Sequence, residues 1–154
     1  MLNIVLYQPE IPPNTGNIIR LCANTGCRLH LVGPLGFTLD DTRLKRAGLD
    51  YHEWARVNEY DDWSSYLEQN PGDPSWAFST RGQRHYCEAR FRAGDTLLFG
   101  PETRGLPAAL LQQLGAERTL RLPMIPASRS LNLSNTVAIV VYEALRQQDF
   151  AGLV

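Results

Sequence analysis

The chain lacks a long hydrophobic run, a cysteine framework, a metal-ligand cluster and almost all lysine. No apolar stretch among its 154 residues approaches the roughly 18 that a membrane span requires. The opening Met1–Tyr7 runs directly into Gln8, Pro9 and Glu10, without the basic region and cleavage site of a secretory leader. Membrane insertion and secretion are therefore not expected. Cys22, Cys27 and Cys87 are odd in number and form no C-x-x-C pair, so they read as reduced thiols of a cytoplasmic protein. His30, His52 and His85 are scattered, and no metal is expected. Of the 15 basic residues only Lys45 is lysine. The arginine bias either serves phosphate recognition through the planar guanidinium fork or follows the base composition of a GC-rich genome.

What is present describes an ordinary folded chain, 44% hydrophobic and 20% charged, well away from the composition of disorder. At this mass the folded surface should be about 7,800 Å² against about 25,000 Å² extended, enough burial for one domain over residues 1–154 without staples. The net charge of −1 argues against a general attraction to nucleic acid, but the charges are segregated. Between Asp50 and Asp73 stand seven acidic residues and Arg56 alone, a local net of −6, which leaves +5 for the remainder. Arg81, Arg84, Arg90 and Arg92 are interleaved with His85, Tyr86 and Phe91. Such a segment either holds an RNA strand by phosphate contact and stacking or is a solvated loop.

Strand and helix patterns alternate along the chain. Leu2–Tyr7 reads as a buried strand, Ile11-Pro12-Pro13 as a loop, and Asn14 as the N-cap of a helix that Gly26 stops. Arg28–Val32 reads as a strand ended by Gly33-Pro34. Helices are expected over Asp41–Ala47, Asp61–Gln69, Pro107–Leu114 and Asn132–Gln148, the last capped by Ser134. Strands are expected over Glu53–Val57, Trp76–Ser79, Thr96–Phe99 and Thr119–Leu122. The order is that of an α/β protein with a mostly parallel sheet flanked by helices.

Three segments place Gly, Asn, Ser or charge where such a sheet leaves a crevice at the carboxyl ends of its strands. Pro13-Asn14-Thr15-Gly16-Asn17-Ile18-Ile19-Arg20 opens the first helix, a ready anion site if its N–H groups are spare, or simply a capped helix whose arginine pairs with a surface acid. Leu97 to Pro107 (LLFGPETRGLP) lacks the spacing of either a dinucleotide turn or a phosphate loop. Its Gly100 would allow close approach of a ligand, and Glu102 would accept from ligand hydroxyls, pair with Arg104, or cap a helix. Leu120 to Asn135 joins two spaced prolines, Pro123 and Pro126, to a polar cluster holding Ser128, Ser130, Asn132 and Ser134, whose backbone amides could ring a purine. No G-x-S-x-G elbow supports a serine nucleophile.

These segments, N-T-G-N-I-I-R, F-G-P-E-T-R-G-L-P and I-P-A-S-R-S-L-N-L-S-N-T-V-A-I, resemble in order the three motifs of the SpoU branch of the SPOUT RNA methyltransferases. Within the branch, the short length and the opening L-N-I-V-L-Y-Q-P-E-I-P-P-N-T-G-N are most similar to members that methylate the 2'-hydroxyl of the wobble nucleotide, cytidine or modified uridine, of tRNA, with leucine isoacceptors as substrates. The resemblance implies a homodimer, a deep trefoil knot and an S-adenosylmethionine site within residues 76–154, with no metal. It implies cofactor contacts at Phe78, Ser79, Thr80, Gly100, Glu102, Leu122, Ile125, Ser130 and Leu131. The catalytic set it implies is Asn14, Arg20, Glu102, Ser130 and Asn132, with Arg20 reaching the active site of the partner subunit. Arg20 would clamp the adjacent phosphate bidentately rather than accept a proton, since a guanidinium is a donor only. The last helix, through Val137, Val140, Val141 and Ala144, and the first helix would contribute to the dimer. A 2'-O-methyltransferase of another tRNA or rRNA nucleotide and a non-catalytic RNA-binding module remain the alternatives.

Overall fold

The computed structural model describes residues 1–154. Seven strands, β1 (Asn3–Tyr7), β2 (Arg28–Val32), β3 (Val57–Tyr60), β4 (Trp76–Phe78), β5 (Arg84–His85), β6 (Thr96–Phe99) and β7 (Thr119–Arg121), form one sheet. Their order is β3-β2-β1-β6-β4-β7-β5, and every neighbouring pair is parallel. The helices are α1 (Pro12–Thr25), α2 (Thr42–Lys45), α3 (Tyr51–Trp54), α4 (Trp63–Gln69), α5 (Ala108–Leu114) and α6 (Leu133–Gln147). This is the α/β class expected. No helix is long and apolar enough to cross a membrane.

Side chains alternate across the sheet, and both faces are covered, so the strands read as continuous apolar runs. Ile4, Leu6, Leu29, Leu31, Leu97 and Phe99 join Ile18, Ile19 and Cys22 of α1 and Val137, Val140, Val141 and Ala144 of α6 in the larger core. Val5, Val32, Ala77 and Leu98 face the other way, onto Tyr66 of α4 and Leu110 and Leu114 of α5. Val137, Val140, Val141 and Ala144 are fully buried within one chain. They hold α6 to its own sheet and are not available to a second subunit, contrary to the expectation drawn from the family resemblance. Burial pushes the Cys22 and Cys27 thiols well above their ordinary range, which leaves them unreactive packing groups.

Several local expectations are corrected. Helix α1 begins at Pro12, not after Asn14, because proline fits the first helical turn, where its missing N–H has no intrahelical partner to lose. Residues 53–56 are not a strand. Asp50 accepts the Glu53 N–H at 3.0 Å and starts α3, an Asp-x-x-Glu capping pattern, and the strand follows at Val57. Asn132, not Ser134, caps α6, accepting the N–H groups of Ser134 and Asn135 at 2.9 and 3.3 Å. The two-residue β5 was not anticipated; it lies at the sheet edge, where its guanidinium at Arg84 sits over Trp76.

His30, in the middle of β2, is only 6% exposed. Its Nδ1 lies 2.9 Å from the Tyr60 hydroxyl and its Nε2 3.4 Å from Asn3 Oδ1, an arrangement that suits the neutral ring. Burial, and secondarily the positive charge of Arg28, lowers its pKa to about 4. Because the folded value lies below the unfolded value of about 6.5, the contribution of neutral His30 is complete above pH 6.5 and is lost as pH falls toward 4. Thermal unfolding scans should show the wild-type Tm falling through this window more steeply than that of His30→Gln. The differential should correspond to about 3 kcal/mol at its limit, and parallel curves for the two proteins would refute it.

Candidate active site

The three polar segments meet at the carboxyl ends of β4, β6 and β7, beside the β1–α1 loop. They enclose a crevice of about 350 Å³ lined by Asn14, Phe78, Ser79, Thr80, Gly100, Glu102, Leu122, Ser130, Leu131 and Asn132, among others. Its floor is the stacked pair Phe78 and Phe99, with ring centroids 4.6 Å apart and planes at 9°. Three arginines, Arg81, Arg104 and Arg121, also line it.

One carboxylate ties the segments together. Glu102 Oε2 accepts the Glu10 N–H at 2.7 Å, and Oε1 accepts the Ile11 N–H at 3.1 Å and Asn14 Nδ2 at 3.4 Å. Ile11 is the N-cap residue of α1 and offers no side-chain acceptor. Glu102 supplies the missing anion from across the crevice, where the helix dipole favours it. Asn14 passes the link on, its Oδ1 accepting Asn132 Nδ2 at 2.9 Å, while Asn132 Oδ1 caps α6. Glu10 answers in the other direction, accepting the Thr103 N–H and hydroxyl at 3.0 and 2.8 Å. These donors hold its carboxyl below the usual range.

Of the alternatives open for Glu102, the cap is the one formed; Arg104 instead donates to Gln8 Oε1 at 3.1 Å. Gly100 lines the crevice and is also required by the chain itself. A Cβ there would lie 2.5 Å from Leu106 N and 2.6 Å from Gly105 C, so only glycine lets the Pro101–Gly105 loop fold back over β6. Two non-glycine residues at the rim, Gln8 and Ala127, have left-handed backbone at φ 49° and 62°, strain of the kind that collects at functional loops.

Two of the residues singled out from sequence stand apart. Ile125 is exposed and does not line the crevice. Arg20 projects from α1 elsewhere, with Nε 3.3 Å from Glu53 Oε2 and Nη2 donating to the carbonyls of Ala47 and Gly48 at 2.8 and 3.3 Å. The bidentate edge of this guanidinium, Nε with Nη2, is thus occupied by its own chain. Glu10 and Thr103 join the site without having been singled out, because each finds its partner more than ninety residues away; Arg81, singled out in the basic segment as a possible RNA contact, lines the crevice.

A parallel α/β sheet with a crevice at its carboxyl edge, bounded by three cross-linked polar loops, is the kind of place where such folds bind ligands. The chain matches the SpoU rRNA Methylase family over residues 1–142. It is 57% identical over 152 residues to the tRNA (cytidine(34)-2'-O)-methyltransferase of Saccharophagus degradans, covering 99% of each chain. It is 57% identical over 154 residues to the protein of that name from Escherichia coli, covering 100% of this chain and 98% of that one. A solved structure described as giving insight into the 2-OH methylation of C/U34 on tRNA superposes with a TM-score of 0.86 at 50% identity, covering 97% of this chain and 91% of that one. The chain belongs to the SpoU methylase family.

Asn132→Ala removes both the α6 cap and the link to Asn14 and should lower stability in urea unfolding by about 1–2 kcal/mol. Glu102→Ala strands two backbone N–H groups and should cost about 2 kcal/mol. Ser134→Ala, whose hydroxyl only donates to the capping oxygen, should change stability by less than about 0.5 kcal/mol. Equal losses for Ser134→Ala and Asn132→Ala would show that the cap is misassigned.

Proposed function

We propose that the protein transfers the methyl group of S-adenosylmethionine to the ribose 2'-hydroxyl of the wobble nucleotide of tRNA. The observation that carries this reading is 57% identity over essentially the whole chain to enzymes named for methylation of cytidine 34. The convergence of the three motif segments on one crevice supports it.

The crevice suits the cofactor chemically. An adenosine requires a flat apolar slot, met by the Phe78–Phe99 stack with Leu106, Leu120 and Leu122, and its polar groups require partners, met by Ser79, Thr80, Ser130 and the loop backbone. The contacts proposed are Phe78, Ser79, Thr80, Gly100, Glu102, Leu122, Ser130 and Leu131, all of which line the crevice; Ile125, which lies outside it, is not among them. When bound, the cofactor supplies an electrophilic methyl on a sulfonium. The protein's part is to align the 2'-hydroxyl with it, since in-line displacement depends first on orientation. Asn14 and Asn132, locked to each other and to Glu102, are placed to orient the ribose, with Ser130 beside them. Arg20, a fixed cation, stabilises the developing alkoxide and the neighbouring phosphate. The proton leaves to phosphate or water, because a guanidinium has no free lone pair.

One domain over residues 1–154 holds this site, with a trefoil knot within residues 76–154. Supporting the knot, β7 inserts between β4 and β5, so the β4–β5 loop arches over the chain leaving β7. The arch is close: Ser79 N–H donates to Leu120 O at 2.9 Å, and a Cβ on Gly82 would lie 2.8 Å from Leu120 C. The working unit is a homodimer in the cytoplasm. Arg20 is absent from the crevice of its own chain, so a second subunit must bring one. The outer face of α6 exposes Ile139 and Tyr142 by 40% and 49%, and the free surface of 8630 Å² exceeds the roughly 7,800 Å² of a typical monomer.

Tritiated S-adenosylmethionine and leucine tRNA isolated from cells lacking the gene should yield label on the 2'-hydroxyl of nucleotide 34, with binding that weakens steeply as salt rises. Label at a different nucleotide would reject the wobble assignment within the family, and no label on any RNA would leave a binding module. Ile139→Asp should convert the sedimenting dimer to monomer and abolish turnover while preserving stabilisation by cofactor. A variant that remains dimeric would remove α6 from the interface.

A further inference from the structure

Arg20 is surrounded by a construction that its role in phosphate or alkoxide binding does not require. Three of its five N–H groups are engaged by its own chain: Nε by Glu53 Oε2 at 3.3 Å, and Nη2 by the carbonyls of Ala47 and Gly48 at 2.8 and 3.3 Å. The acceptors come from one short segment, the turn between α2 and α3 and the start of α3. Gly48 there takes the left-handed conformation, φ 68°, which brings two successive carbonyls to the same nitrogen, a geometry glycine adopts at no steric cost. Glu53 is itself fixed, since its N–H is held by the α3 cap at Asp50. The arginine side chain is half exposed, whereas that of Glu53 is 19% exposed. The carboxylate is thus the anchored partner, and the guanidinium is the part presented outward.

We propose that Glu53 is a positioning residue that, with the Ala47 and Gly48 carbonyls, fixes the Arg20 guanidinium by its Nε/Nη2 edge and leaves Nη1 as the nitrogen offered to the RNA. The inference rests on the reading of Arg20 as a residue of the reaction, and it replaces the bidentate clamp with a single-nitrogen contact. An unrestrained arginine has several rotatable bonds to order when it meets its target. One held at three donors meets it already ordered, and the advantage appears in the transition state, where alignment matters most. The pair is too exposed to serve mainly as a stabilising salt bridge, since exposed ion pairs are screened by solvent and contribute little.

The test is a double-mutant cycle in the full-length protein with S-adenosylmethionine and tRNA. Glu53→Ala should lower kcat about tenfold or more, with the cofactor dissociation constant unchanged and Tm shifted by no more than a few degrees. Glu53→Gln, which keeps an acceptor for Nε, should restore most of the rate. In an Arg20→Ala background, itself severely impaired, Glu53→Ala should have no further effect, because the group it positions is gone. A readout independent of turnover is the Arg20 Nε–H resonance, identified by its absence in Arg20→Lys. It should be protected from exchange in the wild type and lose that protection in Glu53→Ala. Unchanged or raised kcat in Glu53→Ala, or an equal fold-loss in both backgrounds, would overturn the positioning role while leaving Arg20 as the reacting cation. Full activity of Arg20→Ala would overturn the reading of Arg20 and this inference with it.

Discussion

The structure depends on one carboxylate placed at a helix start that cannot cap itself. Helix α1 opens with Ile11-Pro12-Pro13, a sequence with no side-chain acceptor for the orphan N–H groups. Glu102, ninety-odd residues later, accepts the Ile11 N–H, that of Glu10 just before it, and Asn14 Nδ2 besides. A half-buried helix end left without partners would be costly, so the β6–α5 loop must lie against α1 whenever the protein is folded. Asn14 and Asn132 extend the same constraint to α6. The crevice is the space these mutually dependent loops enclose, and its geometry is set by hydrogen bonds that also hold the fold together.

This economy has a consequence for the chemistry. Glu102 has most of its accepting capacity spent on α1, and Asn132 Oδ1 is spent on α6, so both act on a ligand chiefly by holding neighbours in place. The arginines divide in the same way. Arg84, Arg118 and Arg146 are bound to carbonyls or carboxylates of their own chain, whereas Arg81 and Arg121 line the crevice. The −6 stretch from Asp50 to Asp73 is likewise more than a solvated face, because it contains Glu53, which grips Arg20, and Asp50 and Asp62, which cap α3 and α4.

Much of the fold is legible in the residues. The apolar runs at Asn3–Tyr7, Arg28–Val32 and Thr96–Phe99 appear as strands because both sheet faces are covered, and Gly26, in the left-handed conformation at φ 76°, ends α1 as expected. The failures have specific causes. Proline was given too much weight as a helix breaker at Pro12 and Pro13, where the first turn tolerates it. At Glu53 the Asp50 cap starts a short helix where a strand is expected. The apolar stripe of α6 fits a core or a partner equally well, and only the packed structure shows that its own sheet covers it.

The sequence by itself determined the α/β class, the three segments that form the site and their family resemblance, since these reside in local periodicity, turn chemistry and motif order. Tertiary structure alone decided what each polar residue is paired with. Glu102 closes on Glu10, Ile11 and Asn14, Glu10 on Thr103, and Arg20 on Glu53 and two carbonyls. Each of these pairs joins positions more than twenty-five residues apart, and a hydrogen bond is made only where the packed sheet and helices bring donor and acceptor to about 3 Å. One-dimensional spacing carries no information about that distance.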